Sequence, residues 1–482
     1  MGGTPVRSFP QLASMHRGRF GGKDSMKRRV AIVGLDGVPP ELLFDRLLPE
    51  LPTMRMLISR GVYGPLESCD PPITVPAWAV MMTGKTPSQL GVFGFRERVR
   101  ASYTDISLVT SASIKAHALW DYAGQHGKRS CVFGVPPAYP PKPIHGIMVG
   151  CHLTPHPGSR FVSPDALQEE LEQHAGPYIP DVAFRAAERE RVLSQLVEMT
   201  VQHARMRRHL LTKERWDFFV GVEIGTDRLH HAFWKFSDPT HPRYAAPSRF
   251  ATAMLEYYRL IDQQLQETLS LLDDDTLLLI LSDHGAKSMH GVFCVNEWLI
   301  ERGYLVLRRA SERPMPLEQA DVDWAQTIAW AWGGYYARLF LNIRGREPDG
   351  CLAPQDAERI KNRLLQELAA VITPLGRPLG VTTIQVEPGQ AAADLMLYFG
   401  NLSWRAAGTI GHGRLFLEEN DTGPDDAVHS KQGVFLLYDP RRTWGDRLTD
   451  PLQLTDIAPT ILRLLDLSIP DGMAGTPLAV YA

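Results

Sequence analysis

The hydrophobic positions of this chain fall into two patterns. Short continuous apolar runs occur at Val30-Ala31-Ile32-Val33-Gly34-Leu35, Phe218-Phe219-Val220-Gly221-Val222, Thr276 to Leu281 and Gly433-Val434-Phe435-Leu436-Leu437. Strands buried on both faces, as in parallel sheets, read this way. Between them lie charged stretches with helical spacing at 164–175, 186–211, 250–271 and 355–371, the last bounded by Pro354 and Pro374. The alternation predicts an α/β fold, a layered α/β/α sandwich with helices on both faces of a mostly parallel sheet. Proline-rich loops fall at 71–76, 136–143 and 237–247, and 310–323 reads as a polar surface loop. Residues 1–28 are polar, glycine-rich and mildly basic and read as a flexible tail, with Met26 as an alternative start. One domain is expected over 29–482, with 152–215 and 300–385 as candidate insertions into its core.

Composition narrows the function classes. The chain has 482 residues, enough for a large core, and is 44% hydrophobic and 22% charged. Its 51 Lys and Arg against 54 Asp and Glu leave a formal net charge of −3. A dedicated nucleic-acid binder carries a basic surplus, so that class is set aside. The five cysteines, at 69, 131, 151, 294 and 351, are widely spaced with no Cys-x-x-Cys pair, which argues against a disulfide framework and a thiolate zinc site. No run reaches the ~18 apolar residues of a membrane helix, and the N-terminus lacks the apolar core of a signal peptide. A cytoplasmic protein with no membrane partner is therefore expected.

Three of the apolar runs lead into acidic residues. Asp36 follows the first, Asp227 lies beyond the second, and Ser282-Asp283-His284-Gly285 follows the third. Open α/β sheets bind ligands at that carboxyl edge. Asp227 and His231 are four apart and share one face of a helix. His429 lies in Asp425-Asp426-Ala427-Val428-His429-Ser430, just before the fourth run. Three carboxylates and three imidazoles are a suitable inventory for two divalent metals; mixed N and O donors suit zinc, with manganese and iron as alternatives. Taken singly, each is as readily a helix cap or turn former. His290 and His412 are left outside the candidate set. Trp330, Trp332, Tyr335 and Tyr336 form an aromatic group that suits either stacking on a planar ligand or core packing.

One competing motif is present. Ala79-Val80-Met81-Met82-Thr83-Gly84-Lys85-Thr86 satisfies a loose phosphate-loop pattern, with alanine in the first glycine position. Such a loop needs a strand before it and a helix after it. Here Pro71-Pro72-Ile73-Thr74-Val75-Pro76 lies before and Pro87 directly after, so a P-loop nucleotide hydrolase is only a remote alternative.

In order along the chain, Gly34-Leu35-Asp36-Gly37, Pro72-Ile73-Thr74-Val75-Pro76-Ala77-Trp78 with Met82-Thr83-Gly84, Thr226-Asp227-Arg228-Leu229-His230-His231, Ser282-Asp283-His284-Gly285, Val428-His429 through Gly433, and Thr455-Asp456-Ile457-Ala458-Pro459-Thr460 resemble the alkaline phosphatase superfamily. The resemblance runs over roughly 29 to 478 and is greatest to the type I phosphodiesterase/nucleotide pyrophosphatase branch. It implies an alkaline phosphatase-like catalytic domain that cleaves a phosphodiester or pyrophosphate bond in a small-molecule phosphate ester, a nucleotide among the candidates. It also implies the division of the ligands: Asp227, His231 and His429 for one metal, and Asp36, Asp283 and His284 for the other, completed by the hydroxyl of Thr74. Thr74 then reads as the nucleophile of a phospho-threonine intermediate, although by sequence alone it is a loop residue between prolines. Thr83-Gly84 reads as the turn after a helix. A phosphomonoesterase or phosphonate hydrolase of the same superfamily is the alternative.

One departure stands out. In the nucleotide pyrophosphatase members an asparagine some twenty residues past the nucleophile contacts the phosphoryl oxygens, and the corresponding place here is Phe95, followed by Arg96. Arg96 or Lys85 is the expected substitute, with Phe95, Arg96 and Trp78 as candidate substrate contacts. The matched motifs bring few cations, namely Lys85, Arg96 and Arg228, and Arg228 is expected to face away. That scarcity favours diesters over the more highly charged monoesters.

Overall fold

The computed structural model describes residues 28–99, 101–384 and 393–479. The segment read as a flexible tail lies, Arg28 apart, outside the described residues. The predicted apolar runs are strands Arg29–Leu35, Phe218–Glu223, Thr276–Leu281 and Gln432–Tyr438 of one ten-stranded sheet. The strand Arg29–Leu35 sits at its centre, parallel to Thr276–Leu281 on one side and Phe218–Glu223 on the other. Ser130–Phe133 and Gly146–Val149 extend the parallel part. Beyond Thr276–Leu281, Gln432–Tyr438 pairs antiparallel with it, and Val62–Glu67 pairs antiparallel with Gln432–Tyr438 in turn.

Every residue of Thr276–Leu281 is buried, because each face of the sheet carries its own helical layer. Leu278 and Ile280 pack with Met54, Leu57, Leu196, Phe233 and Tyr257, from helices Pro52–Arg60, Arg189–Lys213, Gly225–Ser237 and Ala253–Leu269. Leu277, Leu279 and Leu281 pack with Trp78, Met82, Leu119 and Ile461 on the opposite face, from helices Thr74–Thr83, Leu119–Gln125 and Ile457–Leu464. Alternate side chains of a strand point to opposite faces, so an unbroken apolar run supplies both cores. The α/β/α sandwich is therefore the one expected. The four helical stretches are present as Leu167–Ala175, Arg189–Lys213, Ala253–Leu269 and Ala357–Ala369.

The two candidate insertions differ. Within 152–215, Val162–Ser163 joins the edge of the central sheet and Arg189–Lys213 belongs to a main helical layer, so this stretch is integral to the sandwich. Within 300–385, Ala329–Trp332, Ala337–Leu341 and Val381–Thr383 enter a second, seven-stranded sheet with Leu395–Phe399, Trp404–Ala407, Gly291–Cys294 and Phe416–Leu417. That sheet has its own core around Trp298, Trp330, Leu339 and Leu397. A two-stranded ribbon, Gly285–Ser288 with Ala427–Ser430, ties the end of a central strand to distant chain and sets Ala286 opposite His429.

Gly34 has a steric role at the centre of the sheet. A Cβ there would lie 2.4 Å from Trp78 Cη2 and 2.9 Å from Val222 Cγ2. Gly34→Ala is expected to lower unfolding free energy by about 1–3 kcal/mol through overpacking. Urea denaturation checks this, with a midpoint equal to wild type as the contrary result.

Candidate active site

The three expected carboxylates converge because their strands are neighbours. Thr276–Leu281, Arg29–Leu35 and Phe218–Glu223 are adjacent and parallel, so their carboxyl ends open at one edge. Asp36 continues the ladder, its N–H donating to Glu223 O at 3.1 Å. Asp227 lies in the first turn of helix Gly225–Ser237, and Asp283 and His284 follow the third strand directly.

Thr74 is not a loop residue, as sequence suggested, but the first residue of the fully buried helix Thr74–Thr83. Pro76 is tolerated there because N–H groups of a first turn have no intrahelical acceptor. The helix stops at Gly84, whose φ of 66° provides the left-handed cap expected after Thr83. This arrangement removes the P-loop reading: residues 79–83 are helix rather than loop, and Lys85 donates to the Gly472 carbonyl away from the site. The Thr74 hydroxyl donates to Asp36 Oδ1 at 3.3 Å and lies 3.2 Å from His284 Nε2. It sits at the positive end of the helix, where an anion is favoured.

Each of the three histidines is anchored through one ring nitrogen and offers the other. His284 Nδ1 lies 3.1 Å from Gly285 O, and His429 Nδ1 lies 2.7 Å from Pro72 O. His231 Nδ1 lies 2.8 Å from Asp425 Oδ1. Such anchoring directs Nε2 to a common centre, as in metal-binding histidines. Two compact triplets result, Asp36–Asp283–His284 and Asp227–His284–His429, each with its ligand atoms within 4.8 Å of one another. His284 belongs to both. His231 Nε2 lies 3.2 Å and His429 Nε2 3.7 Å from Asp227 Oδ1.

The electrostatics fit cations. Burial, with repulsion from Asp227, pushes the Asp36 carboxyl well above the usual carboxylate range, and burial with repulsion from Asp36 does the same to Asp283. Burial would also raise Asp227, but His231 and Arg228 hold it well below. Burial lowers His284 to about 4, and burial with His284 lowers His429 well below the usual imidazole range. Burial opposes charge on His231 too, yet Asp425 and Asp227 raise it well above. Asp283 Oδ2 is buried with no hydrogen-bond partner. Three close carboxylates, one with an orphaned oxygen, beside two neutral imidazoles, are the donor set two divalent ions require.

The site floors a cavity of about 430 Å³. Thr74, Asp227 and His429 lie at its base, and Phe95, Arg96, Trp332, Tyr335 and Tyr336 line its walls. Of the expected substrate contacts, Phe95 and Arg96 are there and Trp78 is not. Trp78 is fully buried beneath the site and donates from Nε1 to Asp36 Oδ2 at 2.7 Å. The aromatic group divides likewise: Trp330 packs in the core of the second sheet, whereas its neighbours face the cavity.

The cation inventory read from sequence was too short. Arg228 faces the cavity, and Arg185, Arg338 and Arg405 join it from distant elements. Each of these four has a carboxylate partner. Arg228 pairs with Asp181 and Asp227, and Arg338 with Glu97. Arg185 and Arg405 share Asp425, at 3.0 and 3.1 Å. Arg96 lies over the Trp332 ring at 5.9 Å. No spacing rule marks Arg185, Arg338 or Arg405, since pairing in a different sheet or layer brings them in. Asp425 was visible in the Asp-Asp pair before His429, but only the fold shows that it serves His231.

Asp425→Asn is expected to weaken metal binding by about 10–100-fold, because the anchor of His231 loses its charge. Competition titration with a coloured chelator checks this, and unchanged affinity would show that His231 does not depend on Asp425.

The profile of the type I phosphodiesterase/nucleotide pyrophosphatase family matches residues 30–425. No curated protein matches the sequence. Among solved structures, human ectonucleotide pyrophosphatase/phosphodiesterase 5 superposes with a TM-score of 0.55 at 12% identity, covering 92% of this chain and 96% of that one. The murine protein superposes with a TM-score of 0.52 at 12% identity and the same coverage, as does its inactive variant in complex with AMP. At that identity the likeness speaks for the fold, whereas the sequence profile spans most of the chain. On that match, the chain belongs to the type I phosphodiesterase/nucleotide pyrophosphatase family of hydrolases, within the alkaline phosphatase superfamily.

Proposed function

We propose that the protein is a two-metal hydrolase that cleaves a phosphodiester or pyrophosphate bond through a phospho-threonine intermediate on Thr74. The observation that carries this reading is the placement of the Thr74 hydroxyl. It stands at the start of a buried helix, beside Asp36 and His284, at the base of the cavity.

Asp36, Asp283 and His284, with Thr74, would hold one divalent ion, and Asp227, His231 and His429 the other. Zinc is the leading candidate, with manganese or iron as alternatives. Bound there, such ions supply charge stabilisation for the attacking and leaving oxygens of an in-line displacement. Thr74 Oγ1 attacks phosphorus, the bond to the leaving oxygen breaks, and the phosphoryl group rests on Thr74. With the ions bound, Asp36 and His284 would be occupied as ligands, so the hydroxyl proton would pass to solvent in the cavity. In the first helical turn Pro76 has no N–H and Ala77 N donates to Ile73 O at 2.9 Å, which leaves Thr74 and Val75 to present theirs at that end. Water entering from the cavity then cleaves the Thr74 ester and regenerates the hydroxyl.

The substrate reading remains a diester or pyrophosphate, although its original premise has changed. The cavity has more arginines than the sequence suggested, but Arg185, Arg228, Arg338 and Arg405 already pair with carboxylates. A nucleotide is a reasonable candidate in view of the family and the AMP complex of the murine relative. We place the protein in the cytoplasm, in keeping with five free thiols.

Chelation is expected to abolish hydrolysis of bis(p-nitrophenyl) phosphate and metal return to restore it; full activity in metal-free protein would overturn the reading. Thr74→Ala is expected to lose about 10³-fold or more in kcat while staying folded. Near wild-type turnover would exclude Thr74 as the nucleophile. Diesters are expected to exceed monoesters in kcat/KM, and a monoester preferred by more than tenfold would make the enzyme a phosphomonoesterase.

A further inference from the structure

Phe95 lines the cavity and has no polar group to offer a substrate. Its ring meets His152 edge-on, with centroids 5.9 Å apart. Lys85 is bonded elsewhere, to Gly472. A polar donor over the same cavity is present instead in Tyr335.

Tyr335 lies in the glycine-containing turn between strands Ala329–Trp332 and Ala337–Leu341 of the second sheet. Its ring stacks on His429 with centroids 3.9 Å apart, and His429 stacks on His284 at the same separation. His284 in turn lies 3.2 Å from the Thr74 hydroxyl. The Arg405 guanidinium lies 4.3 Å from the Tyr335 ring centroid. The backbone before Tyr335 is pinned: Gly334 and Ala406 exchange hydrogen bonds of 2.8 and 2.9 Å. A Cβ on Gly333 would lie 2.2 Å from Gly408 N, so only glycine permits this approach.

The hydroxyl completes the argument. Arg185 Nη2 donates to it at 2.8 Å, and His231 Nε2 lies 3.0 Å away. Arginine has donors only, so the tyrosine oxygen accepts there and its own proton is free for another acceptor. In the proposed enzyme, His231 Nε2 is taken as a ligand and offers the phenol neither proton nor lone pair. Oxygens of a substrate seated over Asp227, His429 and Thr74 would then be acceptors in the same cavity. We propose that the Tyr335 hydroxyl is a catalytic hydrogen-bond donor to the phosphoryl oxygens of the substrate. The inference rests on the phosphohydrolase reading above.

Tyr335→Phe tests it, since the ring and its stacking survive. The variant is expected to keep about two metals per chain and to lose about 10²–10³-fold in kcat, as for removal of one oxyanion donor, with KM changed only a few-fold. Orthovanadate adopts the trigonal bipyramidal geometry of the transition state, and calorimetry should show it bound at least about tenfold more weakly by the variant. Unchanged kcat and vanadate affinity would overturn the role of Tyr335 alone. A loss of activity accompanied by loss of metal would also overturn it, making Tyr335 a positioning residue for His231. Wild-type protein that cleaves no phosphate ester with any metal would instead overturn the phosphohydrolase reading itself.

Discussion

Three carboxylates buried within a few ångströms of one another dominate the energetics of this molecule. Asp36, Asp227 and Asp283 sit where three adjacent parallel strands end, and each is essentially inaccessible to solvent. Burial disfavours their charged forms and mutual repulsion adds to it, so Asp36 and Asp283 resist ionisation. Asp227 escapes only because His231 and Arg228 adjoin it. A cluster of this kind costs stability in isolation and is suited to a divalent cation. The rest of the structure is arranged around that tension.

Its supports lie one layer out. Trp78 donates to Asp36 from beneath, Gly37 donates to Asp283, and Asp425 holds His231. The carbonyls of Pro72 and Gly285 set the rings of His429 and His284. Gly34 leaves the space that Trp78 fills, so close packing in the central sheet and the orientation of one candidate ligand have one cause. Asp425 links two regions, because the carboxylate that orients His231 also pairs with Arg185 and Arg405 at the cavity wall.

The two sheets divide the labour. The central sheet carries the carboxylates and the helix that begins at Thr74, and both of its faces are filled by helices. The second sheet contributes Trp332, Tyr335, Arg338 and Arg405, which shape the space above the reacting centre. The candidate ligands thus rest mainly on the central layer, and much of the cavity wall rests on the added one.

The chain's own sequence was enough for the α/β sandwich, because unbroken apolar runs such as Thr276–Leu281 make sense only between two helical layers. It also singled out residues that the fold brings together, because Asp36, Asp283 and His284 follow such runs directly and Asp227 lies in the first turn of a helix beyond another. Helix bounds were legible to within a few residues for the same periodic reason. The position of Thr74 was not, since the prolines around it obscured a helix whose first turn tolerates them. Nor was the burial of Trp78, which depends on the absent side chain of Gly34 in a strand 44 residues away. His429, Asp425, Tyr335, Arg185 and Arg405 acquire their contacts only through pairing across the ribbon, the second sheet and the helical layer. Local pattern reports which face of an element is buried. Which distant side chain meets it is decided by strand order and register, and those are properties of the assembled fold.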